Sequence, residues 1–142
     1  MMSEIYLSRS EEETRALGRR LVSLLPEGAL ISLSGPLGSG KSVIAKGIAE
    51  ALEIEEAIVS PTFTLVQEYE GTLPLAHLDL YRLEGGDDFE SIGGEELLYG
   101  EGFVVIEWGE KIDQLLPSTA IRIILEIGPD GERKIELKGV TL

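Results

Sequence analysis

The stretch ALISLSGPLGSGKSVIAKGIAEAL, Ala29 to Leu52, decides the fold. Its first part, Ala29 to Ser34, is a short apolar run suited to a buried strand. After the glycines, Ile44, Ile48, Ala51 and Leu52 recur on one face of a helix. Between the two, Gly35, four residues, Gly40, Lys41 and Ser42 have the G-x-x-x-x-G-K-S spacing of a phosphate-binding P-loop. Glycine opens main-chain conformations closed to other residues, so consecutive N–H groups of such a loop can curl around an anion. The candidate nucleotide-binding surface is therefore Gly35, Pro36, Leu37, Gly38, Ser39, Gly40, Lys41, Ser42 and Val43. Lys41 reaches for the β- and γ-phosphates of ATP or ADP, and Ser42 offers its hydroxyl to Mg²⁺, a hard cation that takes oxygen ligands. The helix that follows aims its free N–H groups and positive dipole end at the same phosphates.

The bulk composition sets limits around this motif. With 142 residues, 43% of them hydrophobic, the chain can bury one core and is short for two domains. Cysteine is absent, which excludes disulfides, thiol nucleophiles and thiolate metal sites. The start, MMSEIYLSRSEEE, has no apolar signal core, and no run approaches the length of a membrane span; a soluble cytoplasmic protein with no membrane partner is expected. A formal net charge of −14 opposes a direct grip on a nucleic-acid backbone, which needs clustered Lys and Arg. An acidic chain can still act on RNA through a partner.

Along the chain, Ser10 with Glu13 is a capping-box signature, and Leu17, Leu21, Leu24 and Leu25 continue a helical face until Pro26 to Gly28 stops it. After the P-loop helix, AIVS (Ala57 to Ser60), FTLVQEY (Phe63 to Tyr69) and LPLAHLDLY (Leu73 to Tyr81) are rich in strand formers, so parallel and antiparallel strands should be mixed. From Glu84 to Glu101 there are seven acids and no Lys or Arg, with glycines that allow only short helices; this is the segment expected to be least ordered. FVVIEW (Phe103 to Trp108) is an apolar strand ending in a carboxylate, and AIRIILEI, GPDG and RKIELKGV form a closing hairpin. The fold predicted is α/β: a single P-loop NTPase-like domain over residues 1–142, with a mixed β-sheet flanked by helices and a β-hairpin at its C-terminus.

A P-loop needs an acidic partner for its metal, usually at the end of a neighbouring apolar strand. Asp79, after LPLAHL, and Glu107, after FVVI, both qualify, and both can serve, one holding the metal and the other orienting the attacking water. Thr62 in SPTFT stands beside a proline and can present its hydroxyl to metal or γ-phosphate. His77, the only histidine, alternates away from Asp79's neighbours on its strand and is read as structural. Arg82, the only Lys or Arg between Lys46 and Lys111, is expected to pair with Asp79 or another local acid. The chain contains no asparagine and so no Asn-Lys-x-Asp guanine-reading segment, which disfavours a GTPase. A small-molecule kinase, the alternative reading, closes an arginine-rich lid over the transferred phosphate, and with Arg82 alone in the middle third such a lid is hard to build. An ATPase, or a nucleotide-binding module that serves a partner, remains.

With the P-loop, SPTFTLV, HLDLYRL and VIEW in this order and spacing, the chain resembles the TsaE (YjeE) family, P-loop ATPases of tRNA threonylcarbamoyladenosine biosynthesis. The resemblance runs from about Ser10 to the last hairpin. It implies Lys41 on the phosphates, Ser42 and Glu107 at Mg²⁺, Thr62 and Asp79 near the γ-phosphate, and Trp108 beside the nucleotide, with Glu11 and Arg133 bordering it. Pro36 stands where an acid is frequent in the family and Ser42 where threonine is usual; serine keeps the hydroxyl. The resemblance further implies an accessory Mg-dependent ATPase, weak alone, that acts on a TsaB–TsaD assembly to permit repeated turnover, with tRNA met only through that partner.

Overall fold

The computed structural model describes residues 3–58 and 65–142. Strand β1 (Ser3–Ser8) leads into helix α1 (Glu11–Leu24), strand β2 (Leu30–Ser34) and helix α2 (Lys41–Ala51). Strands β3 (Val66–Tyr69) and β4 (Leu75–Asp79) are followed by the short helix α3 (Gly86–Ser91) and a 3₁₀ helix (Gly94–Leu98). Strand β5 (Phe103–Glu107), a second 3₁₀ helix (Gly109–Leu115), and strands β6 (Ile121–Ile127) and β7 (Arg133–Lys138) complete the order. The strands form one seven-stranded sheet in the order β1-β7-β6-β2-β5-β4-β3. β2 lies parallel to both β5 and β6, β4 is parallel to β5, and the remaining pairings are antiparallel, so the expected mixed sheet is present.

The central strands are apolar on both faces because both faces are covered. Ile31, Leu33, Val105, Ile123 and Leu125 pack with Leu17, Leu21, Ile44 and Ile48 of α1 and α2. On the opposite face Leu30, Leu78, Val104 and Ile106 pack with Phe89, Leu98 and Ile112 from the short helices. The acidic, glycine-broken stretch that promised little order thus contributes two fully buried anchors, Phe89 and Leu98.

Helix α1 begins as its sequence dictates. Ser10 Oγ accepts from the Glu13 N–H at 3.0 Å, while the Glu13 carboxylate accepts from the Arg9 N–H at 3.1 Å, one residue before the usual capping-box position. α1 and α2 then approach until backbone meets backbone. A Cβ on Gly47 would fall 2.1 Å from the Arg15 carbonyl oxygen, and one on Gly18 2.3 Å from that of Ile44. Only glycine fits at this crossing.

Two expectations change. Strand β1 was not foreseen; it forms the sheet edge against β7, with Ser8 opposite Arg133. Ala57 and Ile58, read as the start of a strand, lie in none, although Ile58 joins the core; the rest of AIVS lies outside the described residues. Among the described residues no helix is long and apolar enough to cross a membrane.

Candidate functional site

The parallel register brings the ends of β2, β4 and β5 to one edge of the sheet, beside the glycine loop and the start of α2. Gly35 leaves β2 at φ 146°, where a Cβ would lie 2.6 Å from the Leu125 carbonyl oxygen, so a side chain is excluded by space as well as by conformation. Gly40, at φ 110°, is the N-cap of α2. Among the described residues no side chain caps the N–H groups of its first turn, which suits an anionic ligand. Within the loop Leu37 is exposed, while Ser39 is fully buried with an Oγ that has no hydrogen-bond partner among the described residues.

Lys41 is buried, and its ammonium donates to the carbonyls of Gly35 at 2.5 Å and Pro36 at 3.0 Å. The same ammonium lies 3.9 Å from the centre of the Trp108 ring. Burial pushes its pKa below that of an ordinary lysine, and the carboxylates of Glu110, Glu107 and Asp79 oppose that shift. An ammonium largely shielded from solvent and facing three acids is well placed to take a phosphate.

Ser42 and Glu107 meet directly. The Ser42 hydroxyl donates to the two Glu107 carboxylate oxygens at 2.9 and 3.2 Å, and His77 Nε2 lies 2.6 Å from Glu107 Oε2. Asp79 sits level with Glu107 on the adjacent strand, where its Oδ1 accepts from the Tyr81 N–H at 3.0 Å. Sequence could not rank the two acids; in the fold, the hydroxyl of the P-loop serine is on Glu107. Ser42 and Glu107 supply hard oxygens, the donor chemistry of Mg²⁺. Among the described residues no group of three acids or histidines could cage a metal, so a cation here would draw its remaining ligands from phosphate and water, as Mg²⁺ habitually does.

Trp108 takes φ 64°, in the left-handed region that bulky residues avoid. This turns the chain sharply after Glu107 and lays the indole over Lys41, with the Tyr81 ring 5.3 Å away. Lys111 braces the arrangement by donating to the carbonyls of Tyr81 and Leu83, each at 2.7 Å. On the other side of the loop a cleft of about 220 Å³ opens between Ser10, Glu11, Gly38, Gly40, Val43 and Arg133. Arg133 donates to the Gly38 carbonyl at 3.1 Å and to that of Gly131. The structure therefore gathers Lys41, Ser42, Asp79, Glu107 and Trp108 at one place and Glu11 and Arg133 on the rim of the adjoining cleft, while Thr62 lies outside the described residues. Arg82 is exposed and makes no ion pair among the described residues, contrary to expectation.

His77, read as structural, shares a strand face with Asp79, two residues on, and its Nε2 meets Glu107. Glu110 was not singled out; its carboxylate accepts from the Gly35 N–H at 3.3 Å.

Because Trp108 is the only tryptophan and touches the Lys41 ammonium, adding ADP or ATP with Mg²⁺ should change its fluorescence. A flat titration, with binding established by calorimetry, would place the indole outside the responding site.

The chain matches the family model described as "Threonylcarbamoyl adenosine biosynthesis protein TsaE" over residues 8–135. It is 45% identical over 129 residues to the tRNA threonylcarbamoyladenosine biosynthesis protein TsaE of Treponema pallidum (strain Nichols), covering 91% of this chain and 96% of that one. To the protein of the same name in Bacillus subtilis (strain 168) it is 38% identical over 130 residues, covering 91% of this chain and 81% of the relative. Its fold is similar to the crystal structure of Bacillus subtilis YdiB, with a TM-score of 0.77 at 31% identity, over 99% of this chain and 87% of that one. Sequence, fold and the arrangement around the glycine loop agree: this chain belongs to the TsaE family.

Proposed function

We propose that this chain is an Mg-dependent ATPase that serves tRNA threonylcarbamoyladenosine formation by acting on a TsaB–TsaD assembly. The observation that carries the reading is the Ser42 hydroxyl on the Glu107 carboxylate, beside Lys41, at the uncapped start of α2. In this reading the loop N–H groups and Lys41 hold the β- and γ-phosphates, and Lys41 leaves its carbonyl acceptors to do so. Ser42 and Glu107 hold the metal; bound Mg²⁺ offsets negative charge on the phosphate oxygens. Asp79, level with Glu107 but free of Ser42, orients the attacking water, and Thr62 completes the γ-phosphate side on the strength of the family resemblance. Glu11, Arg133 and Trp108 border the rest of the nucleotide.

Residues 1–142 act as a single domain in the cytoplasm. A net charge of −14 leaves tRNA to the partner. Among the described residues no arginine contacts Lys41, Ser42, Asp79 or Glu107, and Arg82, which follows β4, is exposed, so transition-state charge is incompletely met within this chain. A site of that kind hydrolyses slowly until a partner supplies charge or fixes a loop. The test is steady-state ATP hydrolysis as TsaB–TsaD is added, with Asp79→Ala in parallel. Turnover should rise about tenfold or more with partner, and Asp79→Ala should suppress it while ATP still binds. Turnover unchanged at saturating partner, or phosphate transfer to a small molecule without any partner, would overturn the proposal; the latter would mark a kinase.

A further inference from the structure

We propose that His77 is a positioning residue for Glu107: it holds one carboxylate oxygen so that the other faces the Ser42 hydroxyl. The inference rests on the reading of Ser42 and Glu107 as the metal-holding pair. Both side chains are almost completely buried, at 1% and 4% exposure, and Nε2 to Oε2 is 2.6 Å. A carboxylate oxygen is an acceptor, which assigns the proton to Nε2. That leaves the buried Nδ1, which has no hydrogen-bond partner among the described residues.

This one-sided bonding separates a positioning role from a packing role. A histidine kept for the core alone would be expected to satisfy both ring nitrogens, because an unmet buried polar atom is costly. A leucine would fill the same space without that cost. Among the described residues the ring bonds Glu107 alone. On the carboxylate, Ser42 is nearer Oε1 (2.9 Å) than Oε2 (3.2 Å), and Oε2 is the oxygen taken by His77. Without His77 the single Ser42 hydroxyl proton would be the only donor among the described residues to two oxygens, and the carboxylate could rotate between them. The sheet builds the contact. His77 is level with Val105 on the parallel strand, so its ring reaches one inward-facing position forward to Glu107, which Asp79 flanks from the side. Supporting groups of this kind commonly change metal affinity by about 10- to 100-fold when removed.

The experiment compares ADP affinity by calorimetry in excess Mg²⁺ and in EDTA, for the intact chain, His77→Leu and His77→Gln, with folding checked by circular dichroism. The ratio of the two dissociation constants measures metal coupling without turnover. In His77→Leu that ratio should fall about tenfold, with the EDTA affinity unchanged. His77→Gln, whose amide can place a donor where Nε2 lies, should keep most of it. Combined with Glu107→Ala, His77→Leu should change the ratio no further. A folded His77→Leu with the full ratio, or a His77→Gln that loses it, would overturn the inference, as would a further loss in the double variant. If His77→Leu does not fold, the His77→Gln result decides. An intact chain with no metal coupling at all would instead defeat the Ser42–Glu107 reading, and this inference with it.

Discussion

Lys41→Ala should reduce ATP hydrolysis by about 10³-fold, ~4 kcal/mol on the barrier, in a protein that stays folded. The ammonium is buried, with two backbone carbonyls and an indole face as its company. Carbonyl dipoles are weaker partners for a cation than a polyphosphate, so the side chain has much to gain when phosphate arrives and more as charge develops on the transferring group. Stability should move the other way. A lysine with a depressed folded pKa is a group whose charged form is penalised in the fold, so its removal should leave the melting temperature level or higher. For the intact chain the same sign makes this residue's penalty fade as pH rises from the depressed value toward the ordinary lysine pKa. A loss of hydrolysis below about tenfold, ~1.4 kcal/mol, would remove Lys41 from the mechanism.

Gly47→Ala should lower the melting temperature, by about 5–10 °C for a loss of ~2–3 kcal/mol. Two effects compete. Alanine is better than glycine inside a helix by about 1 kcal/mol, which favours the substitution. Against it stand the Arg15 carbonyl oxygen at 2.1 Å and the Arg19 nitrogen at 3.1 Å from the new carbon, both backbone atoms that cannot rotate aside. The helices would have to separate, and the second effect is larger. Thermal unfolding followed by circular dichroism decides it: a higher melting temperature would mean the crossing is looser than described. Separation would also widen the cleft, since Ser10 and Glu11 lie at the start of α1 and Gly40 and Val43 at the start of α2.

Local chemistry was legible in the sequence. The glycine loop between strand and helix, the Ser10 cap and the closing hairpin each depend on residues within a few positions of one another. What depended on register was not. Strand β1 defied its own pattern, for Ile5 and Leu7 face outward while Ser8 is the buried residue, bonded to Thr14 at 2.6 Å. Its partner strand begins more than a hundred residues later, at Arg133. How Asp79 and Glu107 differ also needed three dimensions: both end apolar strands, and only the fold sets Ser42 and His77 on Glu107 and the Tyr81 N–H on Asp79. That His77 meets Glu107 was likewise not legible, because alternation along one strand says nothing of what the next strand offers. Glu11 and Arg133 came from family resemblance alone, and neither has a local pattern that would have selected it.

The cleft beside the glycine loop is walled by both ends of the chain. Ser10 and Glu11 follow β1, Arg133 opens β7, and Ser8 and Arg133 face each other across that antiparallel pair, while the Leu142 N–H closes onto the Glu4 carboxylate at 2.8 Å. Any ligand that spans the walls is therefore thermodynamically linked to the fraying of the sheet edge. Occupancy favours the closed edge by RT ln(1 + [L]/Kd), about 2.7 kcal/mol at a hundredfold excess over Kd. The same linkage works in reverse: whatever peels β1 from β7 weakens the ligand's hold, and amide exchange along Tyr6 and Leu7, which do not line the cleft, should slow when it is filled.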